Sequence, residues 1–369
     1  MAEPAKEISI VVCPATVKHC RQSEASILPF DDGRLFLGYS DFYGGNWRDA
    51  GAARIMGMWS EDEGETWSAP FLIQDNIGKL NVMEASLLRL PSGRVLLSFM
   101  RKDAEGSGAK PGGLLHPMLR FSDDECRTWS EPVQITQGDA YWCSTNDRFL
   151  LLSTGRILLS VGESKAGCHV WLSDDDGATW RMSSENIHPP DGVRYAEPTV
   201  VELAGGTVAM FIRTDTGFIH VAHSRDGGDT WEMHNDWGPA STYSPCMVRR
   251  VPDSNDLLLI WNNHGIRSNL TAATSSDDGA SWENYRILEE QESWPMARSH
   301  TYPSLAFLHG NAHMTYWETH PHPDAGRLFH LVYRRQPVSW FYERAERRAP
   351  VYDPAKNELS AKTIYDGEA

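Results

Sequence analysis

The side chains best suited to chemistry in this sequence are carboxylates, arginines and one tyrosine at the edges of predicted β-strands. Those that precede the first strand of a repeated unit, or follow its second strand, are Arg21, Glu24, Asp49, Glu84, Arg101, Asp147, Glu197, Arg213, Arg267, Tyr302 and Glu318. Turns that serve only solubility would carry Lys, Ser and Gly instead. Carboxylates beside arginines and a tyrosine are the groups of acid–base and electrostatic catalysis. These residues are the candidate site.

Five copies of an eight-residue pattern, Ser-x-Asp-x-Gly-x-x-Trp, organise the chain around these residues. The copies begin at Ser60, Ser122, Ser173, Ser224 and Ser275, and the last four starts are 51 residues apart. The second copy has Cys126 in place of the glycine. In a tight turn, Ser and Asp side chains bond nearby backbone amides, Gly supplies a positive φ and Trp covers the turn. The aspartates of this pattern, called the Asp box below, are therefore expected to be structural.

A period of about 50 residues is typical of β-propellers. In the fourth repeat, Glu197 to Leu203, Thr207 to Ile212 and Phe218 to His223 are predicted strands that precede a fourth at the box. Other first strands are predicted at Ala25–Leu28, Ala85–Leu90, Phe149–Leu152, Cys246–Val251 and Pro303–Leu308. Six starts predict a single all-β domain over residues 1–369, a six-bladed propeller. Residues 8–14 are expected to complete the last blade, and residues 338–369 to form a short helix or an extended wrap.

The direction of the strands predicts where the candidate residues meet. If the first strand of each blade runs from the top face to the bottom, the second strand returns to the top, and the boxes lie at the bottom. The starts of first strands and the ends of second strands then converge at the top. The sequence therefore predicts one site at one mouth of the propeller, with the Asp boxes as scaffolding on the other face.

Composition excludes several classes of partner and cofactor. The formal net charge is −16 and no long basic run occurs, which disfavours nucleic acid and anionic membranes. The six cysteines lack metal-type spacing, and the His320 and His322 pair lacks a third ligand at a sensible distance, so no metal or other cofactor is expected. No signal-like segment and no 18-residue apolar run is present, and a cytoplasmic location is the expectation.

The fourth repeat carries a family resemblance. Its sequence, Tyr195-Ala-Glu-Pro-Thr-Val-Val-Glu-Leu-Ala-Gly-Gly-Thr-Val-Ala-Met-Phe-Ile-Arg213 followed by the box at Ser224, resembles the sialidase (neuraminidase) family of Asp-box propellers. The likeness covers roughly residues 8 to 336. It implies an exo-acting glycoside hydrolase that removes terminal sialic acid-like sugars with retention, and hence a glycan or small sugar as the partner.

The resemblance also implies roles for individual residues. Members of the family hold the sialic acid carboxylate with three arginines, which Arg21, Arg213 and Arg267 match. Tyr302 matches the nucleophile and Glu197 the base that activates it. Asp49, in a Gly-rich loop, matches the acid/base aspartate, and Glu318 matches the carboxylate that steadies the first arginine.

The chain departs from the family pattern at its first arginine. The Phe-Arg-Ile-Pro signature is replaced by Cys20-Arg-Gln-Ser-Glu-Ala-Ser, which places Arg21 about two residues early. Arg101 or Arg148 is the substitute if Arg21 does not reach the pocket. Glu24 and Glu84 are extra carboxylates predicted at the channel rim, where they would suit the hydroxyls of a neutral sugar. A different glycosidase, a lyase and a non-catalytic carbohydrate-binding propeller therefore stay open, as does the reading that each arginine only pairs with a neighbouring acid.

Overall fold

The architecture is built from β-strands. A computed structural model describes residues 6–106, 112–163, 167–234, 238–263, 267, 269–289, 298–343, 348–353 and 358–363. In chain order the strands are β1 (Ile8–Cys13), β2 (His19–Pro29), β3 (Leu35–Tyr43), β4 (Ala53–Ser60), β5 (Phe71–Gln74), β6 (Asn81–Arg89), β7 (Val95–Ala104), β8 (Leu114–Ser122), β9 (Val133–Gln134), β10 (Trp142–Cys143), β11 (Phe149–Leu151), β12 (Ile157–Glu163), β13 (Gly167–Ser173), β14 (Arg181–Met182), β15 (Tyr195–Glu202), β16 (Val208–Thr214), β17 (His220–Ser224), β18 (Glu232–Met233), β19 (Met247–Arg250), β20 (Leu257–Asn262), β21 (Leu270–Ser275), β22 (Glu283–Glu289), β23 (His300–Leu308), β24 (Asn311–His322), β25 (Gly326–Pro337), β26 (Arg348–Asp353) and β27 (Glu358–Thr363). One 3-10 helix, Val338–Tyr342, interrupts them. The predicted all-β class is confirmed.

The strands pair into antiparallel units along the chain. Strands β6–β9, β15–β18 and β19–β22 form four-stranded sheets, and β10–β14 form a five-stranded sheet. The largest sheet has the order β23-β24-β25-β2-β3-β4-β5, with β1 paired to β25. Within it, the first and last units meet through a single parallel bridge between Arg21 and Phe329. The number of blades stays a prediction from the repeat count.

The first strand of the chain joins the last strand of the largest sheet's final hairpin, β25. Strand β1 pairs antiparallel with β25, with Ile8 opposite Arg335. After the 3-10 helix, β26 and β27 form a separate two-stranded pair. Part of the predicted C-terminal wrap, including residues 344–347, 354–357 and 364–369, lies outside the described residues. Within the described part of the chain, no helix has the length and apolarity needed to cross a membrane.

Apolar side chains pack between neighbouring sheets. One core cluster joins Phe36 and Ile55 of the first unit with Val82, Leu97 and Phe99 of the second, and all five are buried. Their positions follow the two-residue side-chain period of a strand, although inner strands are apolar on both faces because each sheet is covered on both sides. This packing of sheet on sheet makes a rigid frame for the strand ends.

Four of the six first strands begin earlier than the sequence predicts. Strand β2 begins at His19 rather than Ala25, and β23 begins at His300 rather than Pro303. In β2 the pairing with β3 shifts register between Ser23 and Ser26, which is a β-bulge. A bulge lets the strand continue through polar residues that a hydrophobic pattern alone marks as a loop.

The Asp-box aspartates are occupied within their own turns. In the first box, Ser60 Oγ donates to Asp62 Oδ1 at 2.9 Å and accepts from the Gly64 amide at 2.7 Å. The Thr66 amide and hydroxyl donate to the two oxygens of Asp62 at 2.8 and 2.6 Å. The same four bonds recur in the other boxes, with Cys126 or Gly supplying the amide. These carboxylates are turn-forming groups.

Candidate active site

Left-handed backbone positions recur near the start of five repeats, and they carry acidic side chains and Tyr302. Five non-glycine residues at the corresponding point of five repeats adopt a left-handed backbone: Glu24 (φ 43), Glu84 (φ 67), Asp147 (φ 59), Glu197 (φ 41) and Tyr302 (φ 61). In four of them the strand pairing shifts register there. Such a conformation costs free energy in a residue with a Cβ and persists where surrounding structure enforces it, often at functional sites. The repeated bulge re-aims these side chains relative to an unbroken strand.

Tyr302 and Glu197 form a buried hydrogen-bonded pair. Tyr302 Oη donates to Glu197 Oε1 at 3.2 Å, and the Tyr302 ring stacks on Trp317 with centroids 5.7 Å apart. Arg213 Nη1 donates to Glu197 Oε2 and lies 3.4 Å from Tyr302 Oη. Burial raises the pKa of Tyr302 and the Glu197 charge raises it further, whereas Arg213 and Arg267 oppose the shift. In the absence of substrate the phenol is thus a neutral group that holds its proton next to a base.

The three arginines predicted to bind a carboxylate line one cavity of about 440 Å³ together with that pair. They are Arg21, Arg213 and Arg267. The Arg213 guanidinium lies over the Tyr243 ring at 3.8 Å, and Arg267 Nη2 donates to the Tyr243 carbonyl at 3.3 Å. Although Arg21 comes early in the sequence, it reaches the same cavity as the other two.

Arg21 is held by acids on two sides. Its Nη2 donates to Glu24 Oε1 at 2.5 Å and its Nη1 to Asp49 Oδ1 at 2.7 Å, while Nε donates to Ser23 Oγ at 3.0 Å. The guanidinium also lies over the Phe42 ring at 4.4 Å. All five donor hydrogens of an arginine sit in a rigid plane, so these contacts fix its orientation.

Asp49 reaches the cavity from the loop between β3 and β4. The loop is anchored by Asn81, whose Nδ2 donates to the carbonyls of Asp49 and Gly51, each at 2.8 Å. The Asp49 side chain remains 62% exposed, so it can contact a ligand. Loss of hydration would raise the pKa of Asp49, but the charge and hydrogen bond of Arg21 outweigh this effect and hold the pKa below its usual value.

Glu24 and Glu84 do not stand at the rim of the cavity. Both are buried, and neither is among the cavity-lining residues. Burial raises the pKa of Glu24, although Arg21 opposes the shift. Burial raises the pKa of Glu84 well above its ordinary value, and Glu197, Glu24 and Asp49 add to the effect. Glu84 Oε2 has no hydrogen-bond partner among the described residues. The prediction that these two acids contact sugar hydroxyls at the rim is therefore corrected.

The prediction that Glu318 steadies Arg21 is wrong. Glu318 accepts hydrogen bonds from His300 Nε2 at 2.9 Å and from His320 Nε2, and lies 3.5 Å from Arg298 Nη1. These bonds outweigh burial and lower the pKa of Glu318 to about 2. The carboxylate beside Arg21 comes instead from Glu24, three residues along the same strand.

Arg101 and Asp147 do not line the cavity either. Arg101 donates to Asp103 at 2.8 Å and to Gln134 at 2.9 Å. Asp147 accepts from Arg249 and from the Leu305 amide, each at 3.0 Å, and lines a different cavity. The predicted substrate-binding roles of both residues are corrected, because their side chains form hydrogen bonds with other groups of the protein instead.

Several lining residues were missed by the sequence reasoning. Tyr243, Trp317, Phe329, Arg194 and Arg327 all line the cavity. Tyr243 could have been found, since it directly precedes Ser244, which aligns with the bulged residue of the other repeats. Trp317 and Arg327 carry no such signal, because the sequence around each residue is typical of a strand or hairpin and contains nothing that marks a binding site. Among the described residues, no cluster of His, Cys, Asp or Glu is arranged to hold a metal ion.

The sequence matches one family model over more than half of its length. The matched family is described as a BNR repeat-like domain and covers residues 105–314. Among curated proteins, the chain is 28% identical to a sialidase of Bacteroides fragilis over 201 residues, which is 48% of this chain and 36% of that protein. It is 26% identical to a sialidase of Paraclostridium sordellii over 235 residues, which is 57% of each. The chain thus spans between about a third and just over half of the length of these relatives.

Solved structures share the fold at low identity. A protein of unknown function from Dyadobacter fermentans aligns with a TM-score of 0.70 and 20% identity, over 91% of this chain and 99% of that one. The NanB sialidase of Streptococcus pneumoniae aligns with a TM-score of 0.70 and 14% identity, over 92% and 71%. An intramolecular trans-sialidase from Ruminococcus gnavus aligns with a TM-score of 0.69 and 16% identity, over 89% and 97%. These likenesses confirm the propeller class.

Proposed function

The chain belongs to the BNR repeat-like domain family, and on that premise we propose that it is an exo-acting glycosidase of sialidase type. It would remove terminal sialic acid-like sugars with retention of configuration. The observation that carries the proposal is that Arg21, Arg213 and Arg267 line the same cavity as the Tyr302–Glu197 pair. The names and folds of the relatives support the same reaction class.

The three guanidinium groups suit a substrate that carries a carboxylate at its reacting carbon. Guanidinium forks match the geometry of a carboxylate, and each charge-assisted hydrogen bond contributes about 1.5–3 kcal/mol. In the substrate-free cavity Arg21 and Arg213 are each bonded to a protein carboxylate, whereas Arg267 has only a carbonyl as its hydrogen-bond acceptor among the described residues. Arg267 is therefore the first group available to an incoming anion.

Tyr302 suits attack at such a carbon. An anionic nucleophile would be repelled by the adjacent carboxylate, while a neutral phenol would not, and sialidases are known exceptions to the two-carboxylate pattern for this reason. Glu197 Oε1 accepts the phenol hydrogen bond and would take the proton as the oxygen attacks. Arg213 bridges both residues and would stabilise the negative charge as it passes between them.

Asp49 would protonate the leaving oxygen, for which it must first bind a proton. Its contact with Arg21 lowers its pKa in the substrate-free cavity. A substrate carboxylate that draws Arg21 toward itself would weaken this contact and raise the pKa of Asp49. Binding of the correct substrate would in this way prepare the acid, and a sugar without a carboxylate would leave Asp49 ionised.

Hydrolysis of the 4-methylumbelliferyl α-sialoside tests the proposal. We expect release of 4-methylumbelliferone, and a fall in kcat of about 10²-fold or more in Tyr302→Phe, because the nucleophilic oxygen is lost. Tyr195→Phe is the matched control, since Tyr195 lines the same cavity but its hydroxyl bonds His220 at 2.7 Å. The first product followed by proton NMR should be the α-anomer.

Two outcomes would refute the proposal. Turnover of neutral or uronic glycosides with none of sialosides would assign another glycosidase or a lyase to the scaffold. Binding of sugars across that panel without any turnover would make the protein a carbohydrate-binding propeller. A third outcome concerns the mechanism alone: equal activity of Tyr302→Phe and Tyr195→Phe would exclude Tyr302 as the nucleophile and leave the substrate assignment intact.

A further inference from the structure

We infer that the mouth of the cavity holds a subsite for an anionic leaving-group sugar, built from Trp47, Arg48 and Arg327. The inference rests on the proposed function, because it names the class of sugar from which the terminal residue is cleaved. The chemical class is a sugar that carries a sulfate ester or a carboxylate near the cleaved bond.

An aromatic platform stands at this mouth. Trp47 is half-buried and lines the cavity, and Phe329 supports its ring with centroids 5.6 Å apart. The Gly326 turn approaches it closely, so that a Cβ at that position would lie 3.7 Å from Trp47 Nε1. A half-buried indole beside a cavity gives a sugar ring an apolar contact surface, and the contact with Phe329 fixes its orientation.

Two guanidinium groups lie over the ring of that indole. The Arg48 Cζ lies 5.2 Å from the Trp47 ring centroid, and the Arg327 Cζ lies 6.0 Å from it. Both arginines are exposed. Arg327 belongs to β25, which is far along the sequence from the loop that carries Arg48. Two separate elements therefore bring positive charge to one ring.

These two arginines differ from Arg21, Arg194 and Arg213 in their partners. The paired arginines and their acids are Arg21 with Glu24 and Asp49, Arg213 with Glu197, and Arg194 with Asp215. Within the described part of the chain, neither Arg48 nor Arg327 has an ion pair, although the whole chain has 50 acidic and 34 basic residues. Two unpaired cations on a predominantly acidic protein are groups available to an anionic ligand.

The position of the platform assigns it to the leaving group. Trp47 precedes Asp49 by two residues, and its carbonyl accepts from Arg21 Nη1 at 3.3 Å, which ties the loop to the carboxylate-binding arginines. The sugar whose oxygen Asp49 protonates must therefore lie beside the loop that carries Trp47. A neutral sugar would use only the indole face, whereas the two guanidinium groups match a sulfate or carboxylate bidentately.

The test compares an unsulfated trisaccharide with two sulfated forms that each carry one more charged group. The substrates are α2,3-sialyl-N-acetyllactosamine and the same compound with one 6-O-sulfate, on galactose in one sample and on N-acetylglucosamine in another. We expect the kcat/KM of one sulfated form to exceed that of the unsulfated form by about fivefold, equivalent to about 1 kcal/mol. The ratio should fall toward one as sodium chloride is raised, because exposed charge pairs are screened.

Variants decide whether the named residues cause the preference. Arg327→Gln and Arg48→Gln should each reduce the ratio, and together bring it to about one. Arg127→Gln is the matched control, since it removes an exposed arginine within an Asp-box turn, and it should keep the wild-type ratio. A wild-type ratio of one for both sulfated forms, or a ratio unchanged in the double variant, would overturn the inference.

Failure of the proposed function can be told apart from failure of the subsite. If the wild type cleaves neither the trisaccharides nor the 4-methylumbelliferyl sialoside, the proposed function fails. Binding of 6-O-sulfated and unsulfated N-acetyllactosamine, measured by ligand-observed NMR, then tests the subsite alone. Stronger binding of the sulfated disaccharide that is lost in the double variant would uphold the subsite, and equal binding would overturn it.

Discussion

Replacing Glu24 by glutamine should weaken the use of substrate, and the same change at Glu318 should not. Glu24 Oε1 accepts from Arg21 Nη2 at 2.5 Å, and the side chain has no solvent exposure. Its second oxygen accepts from Ser23, which in turn accepts from Arg21 Nε at 3.0 Å. Glu24 therefore fixes two sides of the guanidinium plane, and glutamine of the same shape removes the charge while keeping the volume.

Two effects of this change oppose each other. Removing a negative charge near the cavity favours a substrate carboxylate, whereas a loosened Arg21 moves further toward Asp49 and presents fewer donors to the substrate. The second effect should dominate. The charge of Glu24 is already neutralised by Arg21, so its removal changes the field in the cavity little, whereas the Arg21 donors lose the group that orients them. Losing one charge-assisted contact of about 1.5–3 kcal/mol lowers kcat/KM by about 10- to 150-fold. Stability should fall by about 3 kcal/mol, the lower end for a broken buried pair, since Asp49 remains as a partner.

The assay is steady-state hydrolysis of the 4-methylumbelliferyl sialoside, with urea unfolding of each variant in parallel. Glu318→Gln is the control, because Glu318 is bonded to His300 and His320 and not to Arg21. The reasoning fails if KM falls in Glu24→Gln, since repulsion would then outweigh orientation. It fails equally if the two variants lose the same kcat/KM.

Two further perturbations concern stability. The raised pKa of Glu84 means that the folded protein binds the Glu84 proton more tightly than the unfolded chain does. The protonated carboxyl's contribution to stability is therefore lost as pH rises from the pKa of the unfolded chain through the pKa of the folded protein. Glu84→Gln should therefore gain stability relative to the wild type in urea melts as pH rises above the ordinary glutamate pKa of about 4.3, and a gain independent of pH would contradict this. Gly64 and Gly279 have φ of +88° and +92°, but a Cβ at Gly64 would lie 2.0 Å from Tyr333 Oη, against 3.6 Å for the nearest atom at Gly279. Gly279→Ala should cost about 1–2 kcal/mol for the left-handed backbone, and Gly64→Ala about 1–3 kcal/mol more for the overlap, which equal losses in thermal melts would disprove.

Part of the site could be predicted because it follows local pattern. The spacing of Glu197 and Arg213 is that of two strands joined by a short turn, which places the two residues beside each other whatever the rest of the chain does. The Asp boxes are likewise self-contained, since every bond of the Asp62 carboxylate is made within four residues. Only the Thr or Ser that closes each box was missed, because the signature positions did not include it.

The rest of the site depends on side-chain direction and on contacts between distant repeats. Glu318 was misassigned, since successive residues of a strand face opposite sides and a small change of register sends a carboxylate to a different neighbour. Arg101 was kept as a candidate because its place at a strand end is suitable, yet its donors are taken by Asp103 and Gln134. The bulge at Glu24 was not visible in the hydrophobic pattern, and it brings that residue to Arg21.

The sequence by itself determined the repeated turns, the all-β class and the order of the candidate residues along the chain, because turn chemistry and strand period act over a few residues. Only the tertiary structure decided which acid holds which arginine. Tyr302 and Glu197 are 105 residues apart in the chain, and their hydrogen bond exists only because the packed sheets bring two bulged strand starts together. That closeness depends on register shifts and on the packing of whole sheets, neither of which any short stretch of sequence specifies.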